Sequence, residues 1–328
     1  MGALQSPWTG RVLLVLLAAV IAIVAVNFVG DVTVYSLQNN ATREESHERI
    51  VHNLAPEGGW GTRGLNGTNI RIAVPYLVEF VHRATGMRVL PLYKGVDTVC
   101  LWLSLIVFFA FLRKWFTVPE SLIAWLYLAA ILPLTFAFHS YHPWDRPSFL
   151  AWLLAFWAAQ RQHFWAFSLV SAVAVLIKYD AAVLPALYLL ANANRQNWRG
   201  VLVRSCALGA GLLAIYFTLR VMLPGGFSPR DFGASILRNL AMAAGNPIAY
   251  APFLAFGFPV LLAGLGYKIA DRFARASVCF AGIIFVLLFI STNFEEVRAE
   301  IMLFPLLAPA ALLGLRRVSG ETPPLQRT

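Results

Sequence analysis

The chain has 328 residues, 59% of them hydrophobic and 13% charged, with a formal net charge of +10; its mean hydropathy is +0.67 and its pI about 9.9. Soluble domains carry roughly a quarter charged residues, so this composition excludes an ordinary soluble domain and predicts an integral membrane protein. The apolar runs are continuous rather than alternating, which excludes a membrane β-barrel and predicts an all-α, polytopic transmembrane helical bundle of about ten spans, a single domain over residues 1–328.

The first span, 12–30, follows Arg11 and reaches Asp31 without a small-x-small cleavage site, the pattern of a retained signal anchor. A polar loop, 31–94, comes next. The further predicted spans are 96–112, 121–138, 148–160, 164–177, 181–191, 203–222, 252–267, 276–291 and 301–315. Pro185 interrupts the short run 181–191, which therefore reads as tilted, re-entrant or half-crossing. Cys100, Cys206 and Cys279 have no paired spacing and read as small buried hydrophobes.

Orientation follows from the cations in the short loops. Arg11, Arg113, Lys114, Arg161, Arg195, Arg199, Arg204, Lys268, Arg272, Arg275, Arg316, Arg317 and Arg327 fall before the first span and in alternate connections, with only Glu120, Asp271 and Glu321 beside them. These segments and both termini are expected in the cytoplasm, across an inner or plasma membrane. The net positive charge is then the positive-inside bias, and no nucleic-acid partner is implied. The other carboxylates, and every histidine but His163, fall on the extracytoplasmic side or in spans near it, so any chemistry is expected to face outward.

On that face, Asp31 stands at the membrane boundary directly after the first span, as a helix-end residue or as a base pointing into a cavity. Thr42-Arg-Glu-Glu45 has the form of a capping box opening a surface-lying helix with His47, Ile50, Val51 and Leu54 on one face. The glycine-dense stretch 56–67 matches no phosphate-loop pattern and reads as a flexible loop; Asn40 and Asn66 begin chance sequons. A second interfacial helix follows, with Ile70, Ala73, Val74, Leu77, Val78 and Val81 at helical spacing. Arg71 at its start presents a guanidinium suited to an anionic head group.

The densest cluster is His139-Ser-Tyr-His-Pro-Trp-Asp-Arg-Pro147. Pro143 opposes a helix that would align His139 and His142 on a metal. Trp144 beside Asp145 and Arg146 suits a polar ligand such as a sugar or phosphate, while Trp144 and Tyr141 also fit an aromatic belt. Lys178-Tyr-Asp180 sets an ammonium and a carboxylate at a span edge, where Lys178 either snorkels or binds phosphate. Ser228-Pro-Arg-Asp231 opens a short helix that Gly245-Asn-Pro247 ends. The last outer segment, 293–300, carries Glu295, Glu296, Arg298 and Glu300.

Pro143-Trp-Asp-Arg-Pro-Ser148, Ile177-Lys-Tyr-Asp180 and Glu296-Val-Arg298 with Pro305, under a long first outer loop, resemble outer-loop patterns of the GT-C superfamily of membrane glycosyltransferases. The resemblance implies a polyprenyl-phosphate-linked sugar as donor and a glycan, lipid or protein as acceptor. By position it implies Asp31 as the base, Arg71, Lys178 and Arg298 as phosphate-binding residues, and His142, Trp144, Asp145, Arg146, Asp180 and Glu296 around the sugar and acceptor. No Asp-x-Asp follows the first span; a divalent cation is the one cofactor the class leaves open. Two other classes stand as alternatives. A lipid or sugar transporter or flippase would place charges near the bilayer midplane. An outward-facing O-acyltransferase would need a catalytic histidine, for which His139 and His142 stand ready.

Overall fold

A computed structural model describes residues 7–29, 44–45, 47–52, 71–132, 144–223, 232–246, 254–291 and 301–320. Among these residues there is no strand, and the chain is built of α-helices: α1 (Pro7–Ile23), α2 (Ala73–Thr85), α3 (Val89–Leu112), α4 (Val118–Ile131), α5 (Asp145–Gln160), α6 (Phe164–Ile177), α7 (Leu184–Asn192), α8 (Trp198–Met222), α9 (Phe232–Gly245), α10 (Leu254–Gly266), α11 (Arg272–Ser291) and α12 (Leu303–Val318). A π turn, Val24–Val29, extends α1, and a 3₁₀ turn, Tyr179–Val183, leads into α7.

Among the described residues, four segments are long and apolar enough to cross a membrane: Gly10–Asn27, Val89–Leu112, Trp198–Met222 and Arg272–Ile290. Val118–Ile131, Phe164–Ile177 and Gly257–Gly266 are apolar but shorter. Helix α7 has nine residues, about 14 Å at 1.5 Å per residue and half of a hydrocarbon core about 30 Å thick.

The predicted loop 31–94 ends sooner than expected. Gly86 closes α2 in the left-handed conformation (φ 69°), and Arg88 is extended before α3 starts at Val89. Pro91 falls in the first turn, where a missing N–H costs nothing, so the helix takes in Lys94 and Gly95. Helix α4 likewise begins at Val118, because Thr117 and Glu120 close a capping box and Pro119 occupies the first turn.

Helix α12, last of the described helices, lies at the centre. It is apolar around its circumference, and its residues from Leu303 to Gly314 are all buried, as expected of a helix covered on every side. Phe304 packs between Phe108 (5.8 Å between centroids) and Tyr127 (5.3 Å). Helix α10 approaches α12 through Gly266 and Gly314 with backbone against backbone: a Cβ on Gly314 would stand 1.9 Å from the Leu262 carbonyl oxygen. Small residues permit this approach, the usual device where helices pack without a hydrophobic drive between them.

Cross-helix hydrogen bonds fix which helix ends lie together. Gln160 Nε2 donates to the Phe111 carbonyl (3.3 Å) and Asn192 Nδ2 to that of Ala159 (3.4 Å). The Trp115 indole donates to Asp271 (2.7 Å), and Arg316 grips Glu120 with two N–H groups, one of them at 2.7 Å. The C-terminal ends of α3, α5, α7 and α12 therefore share one end of the bundle with the N-terminal ends of α4 and α11. Helices α5 and α6 form a tight antiparallel hairpin through Arg161–His163, with Gln162 at φ 60°. That hairpin carries Asp145 and Lys178 together to the opposite end.

Candidate functional site

The Asp145 end holds a cluster drawn from three parts of the chain. Arg71 stands just before α2. Trp144, Asp145 and Arg146 open α5, where Asp145 lies in the first turn and meets the positive end of the helix dipole. Lys178 follows α6 with an extended backbone (φ −155°, ψ 119°), after which Tyr179 and Asp180 enter the 3₁₀ turn.

Within the cluster the two cations are engaged differently. Lys178 Nζ lies 3.2 Å from Asp180 Oδ2 and 3.9 Å from Asp145 Oδ1, and its side chain is only 13% exposed. Its ammonium thus serves as counter-ion to two carboxylates, an arrangement that offsets the cost of burying them. Arg71 instead rests against aromatic rings, with its guanidinium carbon 4.6 Å from the Trp144 ring centre and 5.2 Å from that of Tyr179. Cation–π contacts leave N–H donors uncommitted. Arg71 Nε is buried without a hydrogen-bond partner, and so is Asp180 Oδ1. A donor and an acceptor, each shielded from solvent, are therefore available within one cluster.

Trp144 is fully buried, which removes it from the aromatic belt that its sequence position equally suggested. Arg146, also buried, turns inward in the first turn of α5. Of the residues expected to form a site, Arg71, Trp144, Asp145, Lys178 and Asp180 come together. Asp31, His142, Glu296 and Arg298 lie outside the described residues, as do Tyr141 and His139. Tyr179 joins the cluster without having been marked by its sequence, where an aromatic at a span edge is indistinguishable from a belt residue.

A second polar group lies at the same end. His47 is buried, its Nδ1 3.1 Å from the Tyr93 hydroxyl and its Nε2 3.1 Å from Glu79 Oε2. Ile50 is buried beside it, so the helical residues 47–51 turn this face onto the bundle rather than onto lipid. Arg83 donates to the other Glu79 oxygen, and this bond holds the carboxyl below its usual range, with His47 adding to the effect against burial. Helix α2 then turns Tyr76, Leu77 and Phe80 outward, with Val74 and Val78 packed inward. Between the π turn of α1 and the first turns of α3 opens a cavity of about 470 Å³, lined by Leu90, Pro91 and Val99 with the polar groups of Asn27, Lys94 and Thr98.

Among the described residues, no three His, Cys, Asp or Glu side chains lie close enough to hold a metal ion, and the two carboxylates of the cluster already face the Lys178 ammonium.

Compared with protein-family models, curated proteins and solved structures, the chain matches none.

Proposed function

We propose that the protein is a membrane glycosyltransferase that moves a sugar from a polyprenyl-phosphate donor to a glycan, lipid or protein acceptor at the outer membrane face. The observation that carries this reading is that Arg71 Nε and Asp180 Oδ1 are both buried without a hydrogen-bond partner in the cluster around the buried Trp144. A sugar joined to a lipid phosphate presents the complementary groups: an anion for the arginine and hydroxyls for the carboxylate.

In this mechanism an acceptor hydroxyl attacks the anomeric carbon while a carboxylate, assigned to Asp31, takes its proton. The bond from anomeric carbon to phosphate oxygen breaks, and the electron pair leaves with the lipid phosphate. Charge on that phosphate grows toward the transition state, where the N–H donors of Arg71, and of Arg298 in the same assignment, are most effective. Lys178 holds Asp145 and Asp180 in place to receive sugar hydroxyls. The cavity between α1 and α3 is apolar enough to take part of a prenyl chain, and a lipid-borne donor removes the need for a nucleotide-binding loop.

The topology that goes with this reading has about ten spans, both termini in the cytoplasm and the Asp145 end outside. The cations predicted to be cytoplasmic, Arg113, Lys114, Arg161, Arg272, Arg316 and Arg317 among them, fall at the opposite end of the bundle, which supports that orientation. Among the described residues, the buried charges Asp145, Arg146 and Arg316 lie at helix ends, which favours the enzyme over a flippase, whereas Asp97 lies about two turns inside α3. The test is transfer of radiolabelled sugar from polyprenyl-phosphate hexose or pentose in membranes holding equal amounts of wild type, Asp31→Asn, Arg71→Ala or Asp180→Asn. Transfer by wild type, with loss of about 100-fold or more in Asp31→Asn and Arg71→Ala, is expected; full activity in both variants contradicts the assignment.

A further inference from the structure

We propose that Tyr179 is the positioning residue for Arg71: its ring, backed by Tyr216, fixes the guanidinium so that the N–H groups meet a lipid-borne phosphate. The inference rests on the transferase reading above and adds to it two aromatic residues and a helix, α8, that the reaction itself does not touch.

The local backbone explains how one triplet serves two tasks. Extended Lys178 sends successive side chains in opposite directions, so Lys178 meets the carboxylates while Tyr179 meets Arg71. Tyr179 does not stand alone. Its centroid is 5.6 Å from that of Tyr216 on α8, with the rings inclined at 50°. Tyr216 is held in turn by Arg220, one helical turn further on, whose Nε donates to the tyrosine hydroxyl at 3.1 Å and whose guanidinium lies 5.3 Å from the ring centre. The contacts form an unbroken series: Trp144, Arg71, Tyr179, Tyr216, Arg220. Rings and guanidinium groups alternate along most of it, and it runs from the residue that precedes α5 to α8.

This series accounts for the state of Arg71. A long, flexible side chain at the mouth of a site needs something to hold it, and a carboxylate partner would take up the donors that an incoming phosphate requires. Aromatic faces hold a guanidinium while leaving its edge donors available. Removing the Tyr179 ring should therefore leave Arg71 present but poorly aimed.

The experiment is a titration of the full-length protein in detergent with farnesyl phosphate, and with farnesol as the uncharged control. Wild type should prefer farnesyl phosphate. Tyr179→Phe, which keeps the ring, should bind within about twofold of wild type, and Tyr179→Leu, which keeps apolar bulk without a π face, about 5- to 30-fold more weakly. In an Arg71→Ala background, Tyr179→Leu should cause no further loss, because the tyrosine acts through the arginine. Equal binding by wild type and Tyr179→Leu, or an undiminished loss in the Arg71→Ala background, overturns the positioning role and leaves the transferase standing. Failure of the wild type to distinguish farnesyl phosphate from farnesol overturns both.

Discussion

Arg71 and Lys178 are cations at the same end of the bundle, and the difference in their partners predicts a difference in their variants. Arg71→Lys keeps the charge but loses the flat guanidinium that rests on Trp144 and Tyr179. Its transfer activity should resemble that of Arg71→Ala more than that of wild type, because a compact ammonium cannot reproduce a forked donor set. Lys178→Ala, by contrast, leaves Asp145 and Asp180 facing one another without their shared counter-ion. It should lower stability by about 3–5 kcal/mol, and Lys178→Met should be milder only if Asp180→Asn is added; thermal unfolding in detergent reads both. Much of this cluster was legible because charged and aromatic residues are conspicuous at the edges of apolar runs. The partners were not legible. Sequence adjacency grouped Asp145 with Trp144 and Arg146, and gave no sign that the helical hairpin α5–α6 also brings Lys178, 33 positions away, to Asp145.

At the scale of elements, the apolar runs located the helices, and 164–177 coincides with α6. Runs with polar or proline-bearing ends were harder to bound. Helix α3 starts at Val89, inside the stretch read as loop, because one proline in a first turn and a single lysine do not stop a helix. Helix α9 ends at Gly245 as the Gly-Asn-Pro pattern indicated, and Asn239 ties it to α11 by donating to the Phe289 carbonyl at 2.6 Å; Ser228–Asp231 lie outside the described residues. The central place of α12 was not legible, since an apolar helix facing lipid and one facing protein have the same composition. The contact of α12 with α10 carries a direct test. At Gly314 a new methyl group would meet the backbone of Leu262 rather than a movable side chain. Gly314→Ala should therefore destabilise by about 1–3 kcal/mol, seen as a lower unfolding midpoint, whereas Gly211→Ala, where nothing lies within 4 Å, should not.

For the whole molecule, the asymmetry between the two ends is the organising feature. At the end opposite the site, Trp115 and Lys114 meet Asp271, and Arg316 meets Glu120 while lying 5.0 Å from the Phe116 ring centre. Arg316 pulls the Glu120 carboxyl down to about 2 from an ordinary 4.5, with Thr117 assisting. A depressed carboxylate stabilises the fold fully above its unfolded value, and that contribution is lost as pH falls from about 4.5 through 2. The unfolding midpoint of wild type should fall across this window more steeply than that of Glu120→Gln. Orientation is open to labelling in a variant whose three cysteines are replaced by serine: a cysteine at Gln196 should react only after the membrane is permeabilised, and one at Thr85 without it.

The central claim is cleavage of a sugar–phosphate bond on a lipid donor, and purified protein in liposomes tests it most directly. With a radiolabelled polyprenyl-phosphate sugar and membrane-derived acceptors, the account predicts one polyprenyl phosphate released for each sugar transferred, and neither product from Arg71→Ala. Donor that crosses the bilayer intact, with no release of polyprenyl phosphate, would contradict it and establish a transporter instead.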